Sequence, residues 1–254
     1  MQHDRRRAER AFHDAQAWAR RQQFAQRPEL WRVDDETYLG HESWVRPALE
    51  LLGDVRGCRV LDCGCGHGMA TVVLARRGAE VVAVDLSAGY AAETQERARR
   101  NGVAHRVVVV QAAIEALPFQ AGSFDCLWGH AILHHLDLPL AARELARVLR
   151  PGGRAVFCEP WGENPLLEWA RGSLPYHGKQ RSRDERPLRR GDLIHLRRHF
   201  PHVHCYPQQL LSMVRRLWPT LPAVRLFDRA DRYLFQRWPG LSRFCRYMVL
   251  SLRS

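Results

Sequence analysis

Three groups of residues in this chain offer chemistry that a folded core does not require. The first is Asp62 followed by Gly64-Cys-Gly-His-Gly68, a carboxylate directly ahead of a turn with glycine at every second position. Such glycines let a ligand approach the backbone closely. A dinucleotide fingerprint, G-x-G-x-x-G, would need glycine where the chain has Met69. The charge of Asp62 also opposes a diphosphate at a helix N-terminus, and suits instead a ligand that carries an ammonium group beside a carboxylate. The second group is Asp85, 19 residues beyond Gly66 at the end of the next apolar run, placed to accept from both hydroxyls of a ribose. The third is Gly129-His-Ala-Ile-Leu-His-His-Leu136 together with Glu159-Pro-Trp161. His130, His134, His135 and Glu159 are the candidate proton acceptors, and His130 and His134, four apart, would share one face of a helix.

These residues fall at regular places in a repeating pattern. Apolar runs at 58–63, 79–85, 106–110, 124–128 and 154–158 read as strands, and 69–76, 88–100 and 140–149 read as helices, the last stopped by Pro151-Gly-Gly153. Strands of nearly continuous Val and Leu are buried on both faces, which predicts a doubly wound, mostly parallel α/β sheet. Right-handed crossovers then bring the loops after the strands to one edge, where ligands bind. Asp62 to Gly68, Asp85, 112–115, 129–135 and 159–161 all occupy those loops.

Outside this core the text is less regular. Residues 1–57 read as helices rich in Gln, Ala and Arg with Trp18, Trp31, Tyr38 and Trp44 among them. Residues 192–200 read as a crossover helix, 203–206 as a sixth strand and 247–252 as a seventh. Between these strands, 208–240 reads as a helical insertion, with Leu210, Leu211, Val214, Leu217 and Trp218 at helical spacing. That pattern leaves open a cap over an apolar pocket or a surface that rests on an anionic membrane. His195, His199, His202 and His204 are accounted for by a basic amphipathic helix and the strand after it rather than by a metal.

The chain has 254 residues, of which 46% are hydrophobic, and a formal net charge of +12. That charge is concentrated: residues 160–254 hold 18 basic and 7 acidic side chains, nearly the whole excess. A basic third of this kind fits an anionic substrate, a membrane surface or a solvated face. The charged start, Met1-Gln-His-Asp-Arg-Arg-Arg7, does not read as a secretion signal, and no apolar run approaches the roughly 20 residues of a membrane span. A cytoplasmic location is expected, with seven unpaired cysteines. Cys63 and Cys65 lack a second pair at zinc spacing, so no metal is expected.

Taken together, Val60-Leu-Asp-Cys-Gly-Cys-Gly-His-Gly68, Val82-Ala-Val-Asp-Leu-Ser87, Ile114-Glu-Ala-Leu-Pro-Phe119, Ser123-Phe-Asp-Cys-Leu127 and Leu149-Arg-Pro-Gly-Gly153 resemble the motifs of the class I S-adenosylmethionine-dependent methyltransferases, in order and in spacing, over residues 55–160. The resemblance implies a seven-stranded Rossmann-like sheet with an N-terminal helical lid (1–57), a core (58–207, with 160–190 on the substrate side), the helical insertion (208–240) and a last strand (241–254) lying antiparallel at the sheet edge. It implies S-adenosyl-L-methionine as cofactor, held by Asp62, Gly64, Cys65, Gly66, Gly68, Asp85, Leu86, Ala113, Ile114, Glu115, Gly129 and His130, with Tyr38 in the lid. Ala113 departs from the family, which often has an acid there for the adenine amino group. Trp161, Trp169 and Tyr176 are expected in the acceptor wall. The acceptor is expected to be a small or lipid-like organic molecule; a peripheral-membrane enzyme for an isoprenoid or other lipid, and a cofactor-binding protein without methyl transfer, stay open. Nucleic acid is disfavoured, because the fourth strand lacks the Asn/Asp-Pro-Pro-aromatic element and no Pro-Cys nucleophile follows it.

Overall fold

The central strands bury both of their faces, so helices must cover the sheet on each side. A computed structural model describes residues 2–173, 186–216 and 224–254. Among them seven strands form one sheet: β1 (Arg59–Cys63), β2 (Glu80–Asp85), β3 (Val107–Gln111), β4 (Phe124–His130), β5 (Leu149–Pro160), β6 (His202–Gln208) and β7 (Tyr247–Arg253). Their order is β3-β2-β1-β4-β5-β7-β6. β1 to β5 pair in parallel, and β7 runs antiparallel to both β5 and β6.

The helices are α1 (Gln2–Gln26), α2 (Asp35–Gly40), α3 (Val45–Leu52), α4 (Met69–Arg76), α5 (Ala88–Arg100), α6 (Leu138–Val148), α7 (Pro165–Ser173), α8 (Leu193–Arg197) and α9 (Val224–Arg237). One face of the sheet, with Leu61, Leu127 and Phe157, packs on Leu145 of α6 and Leu196 of α8. The other, with Val60, Trp128 and Val156, packs on Leu49 of α3 and Val73 of α4. Neighbouring residues of one strand thus enter opposite cores, as the two-residue period of a strand requires.

The structure corrects the sequence reading at several points. β7 lies inside the sheet, between β5 and β6, and β6 is the edge. The physical reason is in their composition. β7 is buried over most of its length, whereas β6 alternates exposed and half-buried residues and carries Pro207, which an edge strand tolerates because it donates no ladder hydrogen bond. β5 begins at Leu149 rather than at 154, and a register shift opposite Phe124 and Cys126 accommodates the Pro-Gly-Gly segment. His130 and His134 share no helix: His130 ends β4, Ala131 takes φ +53°, and a short 3-10 turn covers Leu133–His135. The 208–240 segment holds a 3-10 turn at Ser212–Arg216 and then α9. Leu217, Trp218 and Tyr176 lie outside the described residues.

Candidate active site

β1 ends by driving the chain into the glycine turn, whose first amides are tied to the neighbouring strand: Gly64 and Cys65 both donate to the Val84 carbonyl, at 2.8 and 3.0 Å. Gly64 and Gly66 take φ values of +68° and +51°, a region that side-chain-bearing residues rarely enter. Space separates their roles. A Cβ on Gly64 would stand 2.6 Å from Ile132 Cδ1, while one on Gly66 would meet no atom within 4 Å. Gly66 therefore leaves an opening at the surface of the turn, and Gly64 allows the β4 loop to close on it.

Asp85, at the end of β2, is bound to that turn. Its Oδ2 accepts from the Gly66 amide and its Oδ1 from the Ser87 amide, both at 2.9 Å. Each oxygen keeps acceptor capacity beyond these bonds. Burial raises its pKa, and the two amides only partly offset that. Asp62 has a different fate. It is sealed behind the turn at 2% exposure, accepts from the Thr71 hydroxyl at 2.5 Å, and burial pushes its pKa up to about 7.

A cavity of about 250 Å³ opens over these strand ends, walled by Gly64, Gly66, Asp85 and Leu86, by Ala113, Ile114 and Glu115, and by His130, Ile132 and His135. Its roof is α1, through Arg5, Arg6, Glu9, His13 and Arg20. The seat of α1 is largely polar. Arg5 donates to the His135 carbonyl at 3.0 Å, Asp14 accepts from the Ser87 hydroxyl at 2.5 Å, Tyr90 donates to Gln16 at 2.9 Å, and Arg20 stands 3.7 Å from Glu93.

The four proton-acceptor candidates separate into two pairs. Glu159 is fully buried; its Oε1 accepts from the amides of Ile132 and Leu133 at 3.0 and 2.9 Å, and its Oε2 lies 2.7 Å from His134 Nδ1. Burial alone would raise its pKa, but His134 and the two amides outweigh it and the net shift is downward. Both groups are consumed in shaping the turn that follows β4. His130 and His135 do border the cavity. His130 packs on Trp44 with ring centres 4.4 Å apart, and desolvation, with His41 and His134 nearby, pushes its pKa down to about 4 against the pull of Glu159.

Of the residues expected at the cofactor, the cavity wall therefore collects Gly64, Gly66, Asp85, Leu86, Ala113, Ile114, Glu115 and His130. Asp62 is sealed; Cys65 and Gly68 support the turn from behind, where Thr94 packs against both. Gly129 is needed for packing, since a Cβ there would lie 2.4 Å from the Phe157 ring. Tyr38 is 4% exposed inside the helical layer, so the roof is α1 and not the 38–41 segment. Trp161 belongs to the core, Trp169 is 64% exposed on α7, and no described residue of 160–240 reaches the wall. The lid expected over residues 1–57 thus reaches the cavity through α1, and the α1 residues at the wall were not singled out in the sequence.

Comparison with known proteins agrees with the fold. Residues 61–157 match a family model described as a methyltransferase domain. The ubiquinone/menaquinone biosynthesis C-methyltransferase UbiE of Pectobacterium carotovorum subsp. carotovorum (strain PC1) is 36% identical over 123 residues, 47% of this chain and 49% of that protein. The sarcosine/dimethylglycine N-methyltransferase of Halorhodospira halochloris is 38% identical over 103 residues, 40% of this chain and 37% of that protein. The chain spans about half the length, or less, of these curated relatives. An S-adenosylmethionine-dependent methyltransferase structure from Mesorhizobium loti shares the fold, with a TM-score of 0.59 at 19% identity over 85% of this chain and 100% of that one. The seven-stranded sheet with helices on both faces is the Rossmann-like methyltransferase fold. Over residues 61–157 the chain is similar to the methyltransferase domain, and its relatives and fold neighbours are class I S-adenosylmethionine-dependent methyltransferases.

Proposed function

We propose that this chain binds S-adenosyl-L-methionine in the α1-roofed cavity and transfers a methyl group to a small organic or lipid-like acceptor. One observation carries the reading: Asp85 is fixed by the Gly66 and Ser87 amides at the wall, directly beside the one glycine of the turn that has open space in front of it. The donor set suits the cofactor. The Asp85 oxygens can accept from ribose hydroxyls, and Ile114 and Leu86 offer apolar surface for a base. When bound, the cofactor supplies a methyl group on a positively charged sulfur. The chain's own part is to align the reactants, an effect that reaches roughly 7–11 kcal/mol in favourable cases. His130 is uncharged at neutral pH and can accept a proton, but with a pKa near 4 it is a weak base. It suits an acceptor that sheds its proton readily.

A second reading, in which the acceptor is a membrane lipid, has support from α9. Its outward residues Leu226, Arg229, Arg232, Tyr233 and Arg237 are all exposed, whereas Asp231 is turned inward onto residues 210–212. Calorimetry with S-adenosylhomocysteine and with NAD tests the cofactor; comparable binding of NAD overturns the proposal. Incubating the protein with labelled S-adenosylmethionine and a cell extract, followed by mass spectrometry, identifies the acceptor. Co-sedimentation with anionic vesicles at low and high salt separates the two readings.

A further inference from the structure

The cavity roof contains a cluster that cofactor binding does not account for. We propose that Glu9 and His13 of α1, with His135 of the turn after β4, form a site for one divalent transition-metal ion that ties α1 to the rim of the cavity. Glu9 Oε2 stands 3.4 Å from His13 Nε2 and 3.5 Å from His135 Nδ1, and all three ligand atoms lie within 4.8 Å of one another. Those separations are long for N–H···O hydrogen bonds, which cluster at roughly 2.7–3.2 Å. The two distances from Glu9 are close to those between ligands of one tetrahedral ion, since atoms at about 2.0–2.1 Å from zinc stand about 3.3–3.4 Å apart.

The imidazoles are prepared for this role. His13 Nδ1 lies 3.3 Å from Gln16 Oε1, an oxygen that also accepts from the Tyr90 hydroxyl. An amide oxygen selects the Nδ1–H tautomer, which turns the lone pair of Nε2 toward Glu9; ligating histidines are held in this way by an outer partner. His135 Nδ1 is buried and has no hydrogen-bond partner among the described residues. Glu9 itself is 6% exposed. Arg5 donates to the His135 carbonyl, Arg6 stands 4.0 Å from Glu115 and Arg20 3.7 Å from Glu93. Two imidazoles and one carboxylate leave a coordination position open toward the cavity, a set suited to zinc, cobalt or ferrous iron.

The test uses the full chain, free of tags and treated with chelator, titrated with Zn²⁺ alone by calorimetry and with Co²⁺ followed by visible absorption. One ion per chain is expected, with a tetrahedral cobalt spectrum and a melting temperature raised by zinc. Glu9→Gln and His135→Asn should each weaken Zn²⁺ binding more than about tenfold, and Gln16→Ala by roughly 10–100-fold through the lost outer hydrogen bond. Circular dichroism checks that the variants fold, and Glu9→Gln carries the test if His135→Asn does not. Three results overturn the proposal: no saturable Zn²⁺ binding, binding unchanged in all three variants, or displacement of the ion by S-adenosylhomocysteine. The site does not depend on the methyltransferase reading. Titration of the metal-free protein with S-adenosylhomocysteine probes that reading separately, so either can fail alone.

Discussion

Replacing Asp85 with Asn separates the two tasks that the residue performs. In the wild type each carboxylate oxygen holds one backbone amide, from Gly66 and from Ser87. Asn retains one acceptor and turns a donor toward the other amide, leaving that buried N–H unpaired at about 1–3 kcal/mol. Part of this is recovered, because burial already disfavours the charge that is lost. For a chain of this size each kcal/mol moves the melting point by about 2–4 °C, so Asp85→Asn should melt about 2–8 °C lower, and Asp85→Ala, which strands both amides, lower still. The second task is to hold ribose. A hydrogen bond to a charged group is worth roughly 1.5–3 kcal/mol, and its loss should weaken S-adenosylhomocysteine binding about 10–150-fold. The assay is a pair of measurements on each variant, a melting curve without ligand and a calorimetric titration well below the melting point. If Asp85→Asn melts lower but binds S-adenosylhomocysteine within twofold of wild type, the ribose is held elsewhere and the assignment of the wall fails. An unchanged melting point with weakened binding would instead show that the two amide bonds contribute little to the fold.

Gly66→Ala should bind S-adenosylhomocysteine at least tenfold more weakly with a small loss of stability, because the new methyl meets no protein atom and enters the opening left for ligand; calorimetry checks it. Glu159→Ala should cost about 3–5 kcal/mol in urea unfolding by stranding His134 and two amides, whereas Glu159→Gln should cost clearly less if His134 can accept from the new amide; equal costs would show that His134 is cationic. The pKa of Asp62 is raised by folding, so its protonated form favours the native state: it supports stability fully below about pH 4, and that support is lost as pH rises through about 7. Asp62→Asn should flatten the pH dependence of the melting point over that window, and a slope like that of wild type would refute a buried, protonatable Asp62.

The strands of the core were legible because burial on both faces writes itself as an unbroken apolar run, and the order of the motifs then located the ligand edge. What was not legible depended on neighbours distant in sequence. The place of β7 beside β5 is set by which strand tolerates an exposed edge, and the sign of it was present in the half-exposed pattern and Pro207 of β6. His130 and His134 looked like helix neighbours because spacing carries no information about Ala131 at φ +53°. Within the lid expected over residues 1–57, the segment that covers the cavity was not legible. α1 is rich in Arg, Gln and Ala, a composition that does not say which side chains face inward, and its Arg, Asp and Gln side chains help to seat it on the cavity.

Asp62, Asp85 and Glu159 lie at the ends of three strands of the same sheet, β1, β2 and β5, and residue type alone gives them equal claim to chemistry. Their surroundings divide them. Glu159 spends both oxygens on two amides and an imidazole behind the β4 turn, so it shapes the wall without entering it. Asp62 has the Thr71 hydroxyl in a sealed site, and a carboxyl with so little solvation holds its proton up to about pH 7. Only Asp85 has an anchored geometry together with a face on the cavity. An acid at a strand end is thus a ligand group when its backbone partners leave lone pairs toward open space, and a structural group when they do not. By that criterion the side chains open to an acceptor are those with a face on the cavity, His130 and His135 and the residues of α1 that close over them.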